Sequence, residues 1–267
     1  MILAALPRLL LLVGSAAGIQ DPIQDNSFLL EEAYNQEPGV IQEISTFVRA
    51  SGGRDWVYTL TQEWPLGGMR HQLSYTIPLE HHDDFATTGL GDVLLNYRYQ
   101  VVGTPNSRLL AAPRLSAILP TGSARLGRGR GGLGLQANLP VSVVPTARLA
   151  THWNAGVTLV PSAESPAGDR ATAGAINLGG SAIWLARPRV NFLLEAIWVR
   201  SEEVAGPGRT LGRSVTLLNP GVRWGFDFPG GLQIVTGIAY TIGLGGGEAD
   251  ALFAYLSFEH PFRRLEE

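Results

Sequence analysis

Cysteine and lysine are both absent from the 267 residues of this chain. Without cysteine, the protein cannot build a disulfide framework, a zinc–thiolate site or a thiol nucleophile. Without lysine, it cannot form a Schiff base or the phosphate-binding P-loop, because both depend on an ammonium group. The 20 permanently cationic side chains are therefore all arginines.

A strong net charge and long apolar runs are missing too. The formal net charge is −3, so there is no broad basic surface to neutralise a phosphate backbone, and we expect no nucleic acid partner. After residue 18, no apolar run approaches the roughly 18 residues that a membrane-spanning helix needs. However, 45% of the residues are hydrophobic, so the apolar side chains must follow another pattern.

The N-terminus has the pattern of a secretory signal peptide. An apolar stretch over residues 9–13 is followed by small residues at 14–18, which signal peptidase accepts before its cut. We therefore predict a signal peptide over residues 1–18, cleaved after Ala17 or Gly18. The alternative is an apolar N-terminal element of a cytosolic protein.

Residues 19–39 are polar and compatible with a short helix over residues 26–37, with Asp25 or Asn26 as its cap. A helix of one or two turns is marginally stable alone and has to pack on something larger. We predict that this segment either forms a partial plug at the periplasmic mouth of the larger unit or acts as a flexible tether.

Apolar and polar residues alternate from Val40 onward. In residues 92–101, for example, the odd positions are apolar or aromatic and most even positions are polar, which is typical of strands. Several such segments reach the length of about nine to eleven residues that a tilted transmembrane strand needs. About twelve segments follow this pattern, at residues 40–49, 56–64, 71–79, 89–101, 108–119, 132–141, 147–159, 173–185, 190–200, 213–228, 231–242 and 251–262.

The connections alternate as well. Apart from the first connection, those after odd-numbered strands are long and polar, whereas those after even-numbered strands are short. Membrane barrels place short turns at the periplasmic end and long loops outside. The sequence therefore predicts an all-β protein, a transmembrane antiparallel up-and-down β-barrel of about 12 strands over residues 40–262, with a short N-terminal helical segment and a C-terminal tail at 263–267.

Aromatic residues fall near the ends of the predicted strands, as expected for the two membrane interfaces. The last strand ends in Phe258, His260 and Phe262, which is similar to the aromatic-terminated strand that the outer-membrane assembly machinery recognises. The periplasmic group contains Trp64, Tyr97, Tyr99, Trp184, Trp224, Phe226, Phe228 and Phe258, and the outer group Trp56, Trp198 and Tyr240.

Several segments resemble a known family. They are NSFLLEEAYNQEPGVIQ (26–42), TLTQEWP (59–65), RHQLSYTIP (70–78), GLGDVLLNYRYQ (89–100) and LSAILPTG (115–122). They resemble the outer-membrane channels commonly labelled transporters, related to the meta-pathway phenol-degradation protein family. The resemblance implies a β-barrel that passes small, often aromatic or apolar, molecules, and it brings no catalytic motif.

Two clusters have other interpretations. Residues 127–132 fit G-x-G-x-x-G, but no helix follows to receive a dinucleotide. We predict a mobile outer loop there, whose Arg125, Arg128 and Arg130 meet anionic lipopolysaccharide or an anionic solute. Residues 81–84, HHDD, are metal-ligand types without a third fixed position, so we predict a solvated loop and no metal.

Charged residues on the polar parity are predicted to face the lumen, because an arginine facing lipid costs about 2–4 kcal/mol at the midplane. They form either an internal salt-bridge network or a solute-selective lining. These residues are Asp92, Arg98, Arg114, Arg148, Glu195, Arg223, Asp227 and Glu259.

Enzymatic activity is not predicted. His152 and Asn154 share a polar face, and Ser116 and Ser181 lie on others, but no motif marks a nucleophile. No cofactor or energy-coupling motif is present in the sequence.

We therefore predict a passive channel for small organic molecules in the outer membrane of a Gram-negative bacterium, in contact with lipid and lipopolysaccharide. Twelve strands lie between the filled barrels of about 8 strands and the open ones of about 16, which favours a narrow pore. The alternative is a non-conducting structural or surface-interaction barrel. The sequence does not determine the oligomeric state.

Overall fold

The structure, a computed structural model, describes residues 27–104, 106–245 and 250–262. The predicted signal peptide at 1–18, residues 19–26 of the predicted N-terminal segment and the tail at 263–267 lie outside the described residues. The strands are β1 (Val40–Ala50), β2 (Trp56–Pro65), β3 (His71–His82), β4 (Thr87–Leu90), β5 (Val93–Tyr99), β6 (Leu109–Ala111), β7 (Arg114–Leu119), β8 (Gly134–Thr146), β9 (Leu149–Glu164), β10 (Arg170–Arg187), β11 (Val190–Gly206), β12 (Arg209–Asp227), β13 (Gln233–Leu244) and β14 (Ala251–Pro261). Two 3-10 turns lie at Asp83–Phe85 and Ala124–Leu126.

The strands form one closed antiparallel barrel. Strand β1 pairs with β14 from Val40 opposite Pro261 to Ala50 opposite Ala251, which closes the sheet. Both β4 and β5 pair with β3, and both β6 and β7 pair with β8, so each of these two pairs makes one interrupted transmembrane strand. The result is a 12-strand barrel, which confirms the predicted fold class.

The alternation in sequence becomes an inside and an outside. Leu115 and Leu135 point outward with 63% and 65% of their surface exposed, whereas Ser116 on the same strand as Leu115 is 3% exposed. An apolar outer surface around a polar interior is the arrangement that lipid requires of a spanning sheet. No helix in the described part of the chain is long and apolar enough to cross a membrane.

Four consecutive strands are longer than the sequence predicts. Strands β9 to β12 contain 16, 18, 17 and 19 residues, and the loops predicted at 160–172 and 201–212 are largely paired strand. The sequence predicts a loop wherever the alternation of apolar and polar residues stops. Beyond the membrane both faces of a hairpin meet water, so strand pairing continues without an apolar face.

The predicted helix over residues 26–37 is wrong for residues 27–37, which are bends and extended chain. The two proposed cap residues, Asp25 and Asn26, lie outside the described part. A helix satisfies its backbone donors internally. Here the donors are satisfied by side chains of the barrel wall, as described next.

Candidate functional site

Residues 27–39, called here the inner segment, lie inside the barrel. Gly39 has a φ of 86°, a left-handed conformation that glycine adopts at little cost, at the point where the chain turns into β1. The segment contacts side chains on β3, β5, β8, β9 and β11. Ala33 in its middle is fully buried, so the segment fills the lumen rather than hanging below it.

Glu195 on β11 holds one end of the inner segment. Its carboxylate accepts hydrogen bonds from three successive backbone N–H groups, those of Phe28 at 3.1 Å, Leu29 at 3.0 Å and Leu30 at 3.2 Å. The Asn219 amide donates a further bond at 2.8 Å. Successive N–H groups aimed at one carboxylate form a concave anion site, and charge-assisted hydrogen bonds of this kind are strong.

Arg98 on β5 holds the other end. Its guanidinium donates to the carbonyl of Glu32 at 3.1 Å, to the carbonyl of Tyr34 and to Asn35 Oδ1 at 2.8 Å. The Glu63 carboxylate lies 3.7 Å from the same group. The N–H groups at the start of the segment therefore donate to a carboxylate. About four residues later, the carbonyl groups of the segment accept from a guanidinium.

Wall side chains also hold the middle of the segment. Asn154 accepts from the N–H of Glu31 at 3.0 Å and donates to its carbonyl at 2.7 Å, as a neighbouring strand would. The Glu31 carboxylate pairs with Arg114 at 2.7 Å. Ala33 N–H donates to Ser142 Oγ at 2.8 Å. The polar wall thus takes the part that helix or sheet bonding takes elsewhere.

One side of the lumen is apolar and receives Phe28. The Phe28 ring lies 5.2 Å from the Phe253 ring and 5.3 Å from the Tyr255 ring, measured between centroids. Val235 and Ala239 belong to the same buried cluster. We call this place, formed by β12, β13 and β14, the Phe28 pocket.

The predicted lumen charges occupy four different places. Glu195, Arg98 and Arg114 contact the inner segment as described, and Arg223 is fully buried on the inner side of β12. Glu259 lines a cavity of about 290 Å³ beside the segment at the periplasmic mouth. The remaining three, Asp92, Arg148 and Asp227, lie nearer the two ends of the barrel.

Two of the predicted charges lie at the periplasmic end. Asp227 is at the end of β12, 3.3 Å from Arg189. Arg148 is exposed in the tight turn between β8 and β9, so its assignment to the lumen is corrected. The predicted strand begins at residue 147, two residues before β9 begins at Leu149. The alternation of side chains between the two faces of a strand does not extend to a residue in a turn.

The glycine-rich loop closes over the outer mouth. The Asp92 carboxylate, in the break between β4 and β5, accepts from the N–H groups of Gly122 at 3.0 Å and Arg130 at 2.6 Å. Within that loop every second residue has positive φ: 73° at Gly127, 79° at Gly129 and 69° at Gly131. The spacing of the glycines therefore serves left-handed turns, not a dinucleotide.

The arginines of this loop bind the barrel. Arg125 pairs with Glu164 at 3.1 Å, Arg130 donates to the Glu202 carbonyl at 3.1 Å, and Arg128 is 8% exposed. Arg125 and Arg130 are also exposed, whereas Arg128 is buried. Contact of this loop with lipopolysaccharide or an anionic solute therefore stays a prediction for the two exposed arginines.

Replacing Asp92 by alanine is expected to release this loop. Two part-buried N–H groups then lose a charged acceptor, and a hydrogen bond to a charged group contributes about 1.5–3 kcal/mol. Trypsin cleaves after arginine, so cleavage at Arg128 and Arg130 should accelerate at least roughly tenfold. Replacing the exposed Arg209 by alanine serves as a control, and equal cleavage rates in the Asp92→Ala variant and the unaltered protein would contradict the role of Asp92.

The side chains of the HHDD cluster at residues 81–84 turn to separate partners. His82 pairs with Glu80 at 3.1 Å, Asp83 pairs with Arg54 at 2.8 Å, and His81 stacks on Trp56. Within the described ranges, no three metal-ligand side chains come together.

His152 Nδ1 lies 2.7 Å from Ser142 Oγ, but that hydroxyl already accepts from the inner segment.

Uncharged wall residues of the site were not singled out from the sequence. Ser142, Asn138 and Gln72 all bond the inner segment. Their only signal is that they lie on the inward parity of predicted strands, which many other polar residues share.

A large cavity on the outer surface is not part of the lumen. Its volume is about 1140 Å³. Its outward-facing lining side chains include Leu95, Leu115, Leu135 and Val157, which are 48%, 63%, 65% and 56% exposed. These side chains belong to the apolar outer face that a spanning barrel turns toward lipid.

The fold is similar to that of solved outer-membrane barrels. An outer membrane channel from Pseudomonas putida F1 superimposes with a TM-score of 0.63 and 12% identity, over 85% of this chain and 97% of that chain. The NanC porin gives 0.56 and 9%, over 82% and 98%, and the KdgM porin gives 0.51 and 8%, over 83% and 99%.

No protein-family model and no curated protein matches the chain in sequence. At identities this low, the similarity shows the fold alone. The closed 12-strand barrel with its apolar outer surface is a bacterial outer-membrane barrel, and its lumen is filled by residues that precede its first strand.

Proposed function

We propose that the protein is a passive channel for small organic molecules, closed at rest by the inner segment. The observation that carries this proposal is the way the lumen is filled. A barrel whose role is only structural fills its interior with side chains of its own wall. Here a whole stretch of backbone fits inside, and it is held by hydrogen bonds and ion pairs to a wall that is closed without it.

The nature of the solute is inferred from the lining and from the family resemblance. The outer-membrane channels of the phenol-degradation type, which segments 26–42 and 89–100 resemble, pass small aromatic or apolar molecules. The lumen supports this because it combines a polar wall with the apolar Phe28 pocket. Diffusion down a gradient requires no further machinery.

The ion pairs inside the lumen favour the alternative, a non-conducting structural barrel. The ion pair of Arg114 with Glu31 ties the segment to the wall, and that of Arg98 with Glu63 joins two wall strands beside it. If these contacts never open, the barrel serves stability or surface contact only.

Liposomes containing the purified protein test both functions. We expect slow entry of glucose and benzoate through the unaltered protein and entry at least roughly threefold faster through a variant that lacks residues 27–37, because the lumen is then open. Electrophoresis of boiled and unboiled samples checks that both barrels are folded. If neither protein passes either solute, the channel proposal fails and the structural alternative stands.

A further inference from the structure

The Phe28 pocket has the shape of a receptor for one flat ring. Gly221 on β12 and Gly237 on β13 form its floor. A Cβ atom at Gly237 would lie 2.3 Å from Phe28 Cζ, and one at Gly221 would lie 2.8 Å from Phe28 Cε2. Glycine within a strand weakens the sheet, and here it creates the room in which the ring lies against the wall.

The walls of the pocket fit an aromatic ring in particular. The Phe253 ring is inclined to the Phe28 ring by 25° and the Tyr255 ring by 31°. Offset rings at such separations attract each other beyond the burial of apolar area. Phe28 itself is 8% exposed, so the ring is almost completely enclosed.

A polar group lies at a fixed place beside the ring. The backbone N–H of Phe28 donates to Glu195 Oε1 at 3.1 Å, and this nitrogen is two carbons away from the ring. When the inner segment leaves, the Glu195 carboxylate loses three N–H donors and keeps the Asn219 amide. A buried carboxylate without donors is costly, so the empty pocket favours a ligand that supplies one.

We propose that the Phe28 pocket is a solute site for an aromatic ring with a hydrogen-bond donor two carbons away, as in 2-phenylethanol or 2-phenylethylammonium. In the closed protein, Phe28 occupies the site in place of the solute. Solute and Phe28 compete, so binding of the solute loosens the first residues of the inner segment while Arg98 still holds its other end. The proposal rests on the proposed function, since it gives the channel a ligand that opens it.

Calorimetric titration of the detergent-solubilised full chain tests the site. Replacing Phe28 by alanine removes the competing ring and leaves an apolar cavity, a kind of site that takes small aromatic molecules. The Phe28→Ala variant should bind 2-phenylethanol and 2-phenylethylammonium roughly tenfold or more tightly than the unaltered protein, in which only the fraction with an empty pocket binds.

Three second substitutions in the Phe28→Ala variant locate the ligand. Gly237→Ala should weaken binding of both ligands roughly tenfold, because its Cβ enters the ring position. Gly212→Ala, on β12 beside Arg200 and away from the pocket, should change nothing. Glu195→Gln should weaken binding of the ammonium more than that of the alcohol, because the amide side chain carries no charge.

The results separate this proposal from the proposed function. If Phe28→Ala binds neither ligand more tightly, or if Gly237→Ala has no effect, the site is refuted even where the channel conducts. If binding behaves as expected and liposomes take up nothing, the site stands and the channel fails. Phe28→Leu, which also lacks the ring but keeps apolar volume, replaces Phe28→Ala if the gel assay shows that the latter is unfolded.

Discussion

Replacing Ser27 and Ser181 by cysteine is expected to give a channel that opens only under reducing conditions. The two hydroxyl oxygens lie 3.3 Å apart, Ser27 at the start of the inner segment and Ser181 on the inner side of β10. Side chains this close fit the geometry of a disulfide after a small adjustment. The chain has no other cysteine, so no competing disulfide can form within it.

The measurement is single-channel current in a planar bilayer. The oxidised pair should abolish openings, because the bond ties the start of the inner segment to the wall, and a reductant should restore the behaviour of the unaltered protein. Ser27→Cys and Ser181→Cys alone control for the substitutions and should be insensitive to reductant. Equal currents before and after reduction, with the disulfide verified by mass spectrometry, would show that this segment does not gate the lumen.

Replacing Glu195 by alanine is expected to raise the open probability at least roughly tenfold. The three N–H groups of Phe28, Leu29 and Leu30 and the Asn219 amide all lose their acceptor. A hydrogen bond to a charged group contributes about 1.5–3 kcal/mol, and about 1.4 kcal/mol already changes an equilibrium tenfold. The N–H groups of the segment find acceptors in water when it leaves, so the closed state loses more than the open one.

Two variants give this prediction its controls. Glu195→Gln keeps an acceptor oxygen without the charge and should fall between the alanine variant and the unaltered protein. Glu203→Ala removes an exposed carboxylate on β11, away from the segment, and should leave currents unchanged. An unchanged open probability in a folded Glu195→Ala barrel would show that Glu195 does not hold the segment in the closed state.

The sequence predicts the wall better than its contents. Alternation is a local property that each strand shows by itself, so the twelve segments and the inward facing of Glu195 follow from parity. The inner segment has no such periodicity of its own. Its partners lie far away in sequence, since Phe28 and Glu195 are 167 positions apart, and local propensity favours a helix that does not form.

The Phe28 pocket could not be predicted from the sequence either. Gly221 and Gly237 stand within predicted strands, where glycine is consistent with a bend, a bulge or close approach of another group. Only the barrel closure brings β12, β13 and β14 around the start of the inner segment. The spacing of the glycines at residues 127–132 follows from their left-handed backbone angles, which the sequence alone does not reveal.

The unequal strand lengths give the barrel a high side and a low side. Strands β9 to β12, with 16 to 19 residues, rise about 40–48 Å at a tilt near 40°, whereas the apolar band is only about 25 Å tall. Strands β1 to β3, with 10 to 12 residues, end near the membrane surface. The part of the barrel that stands above the membrane is therefore a wall on one side, formed by the hairpins β9–β10 and β11–β12.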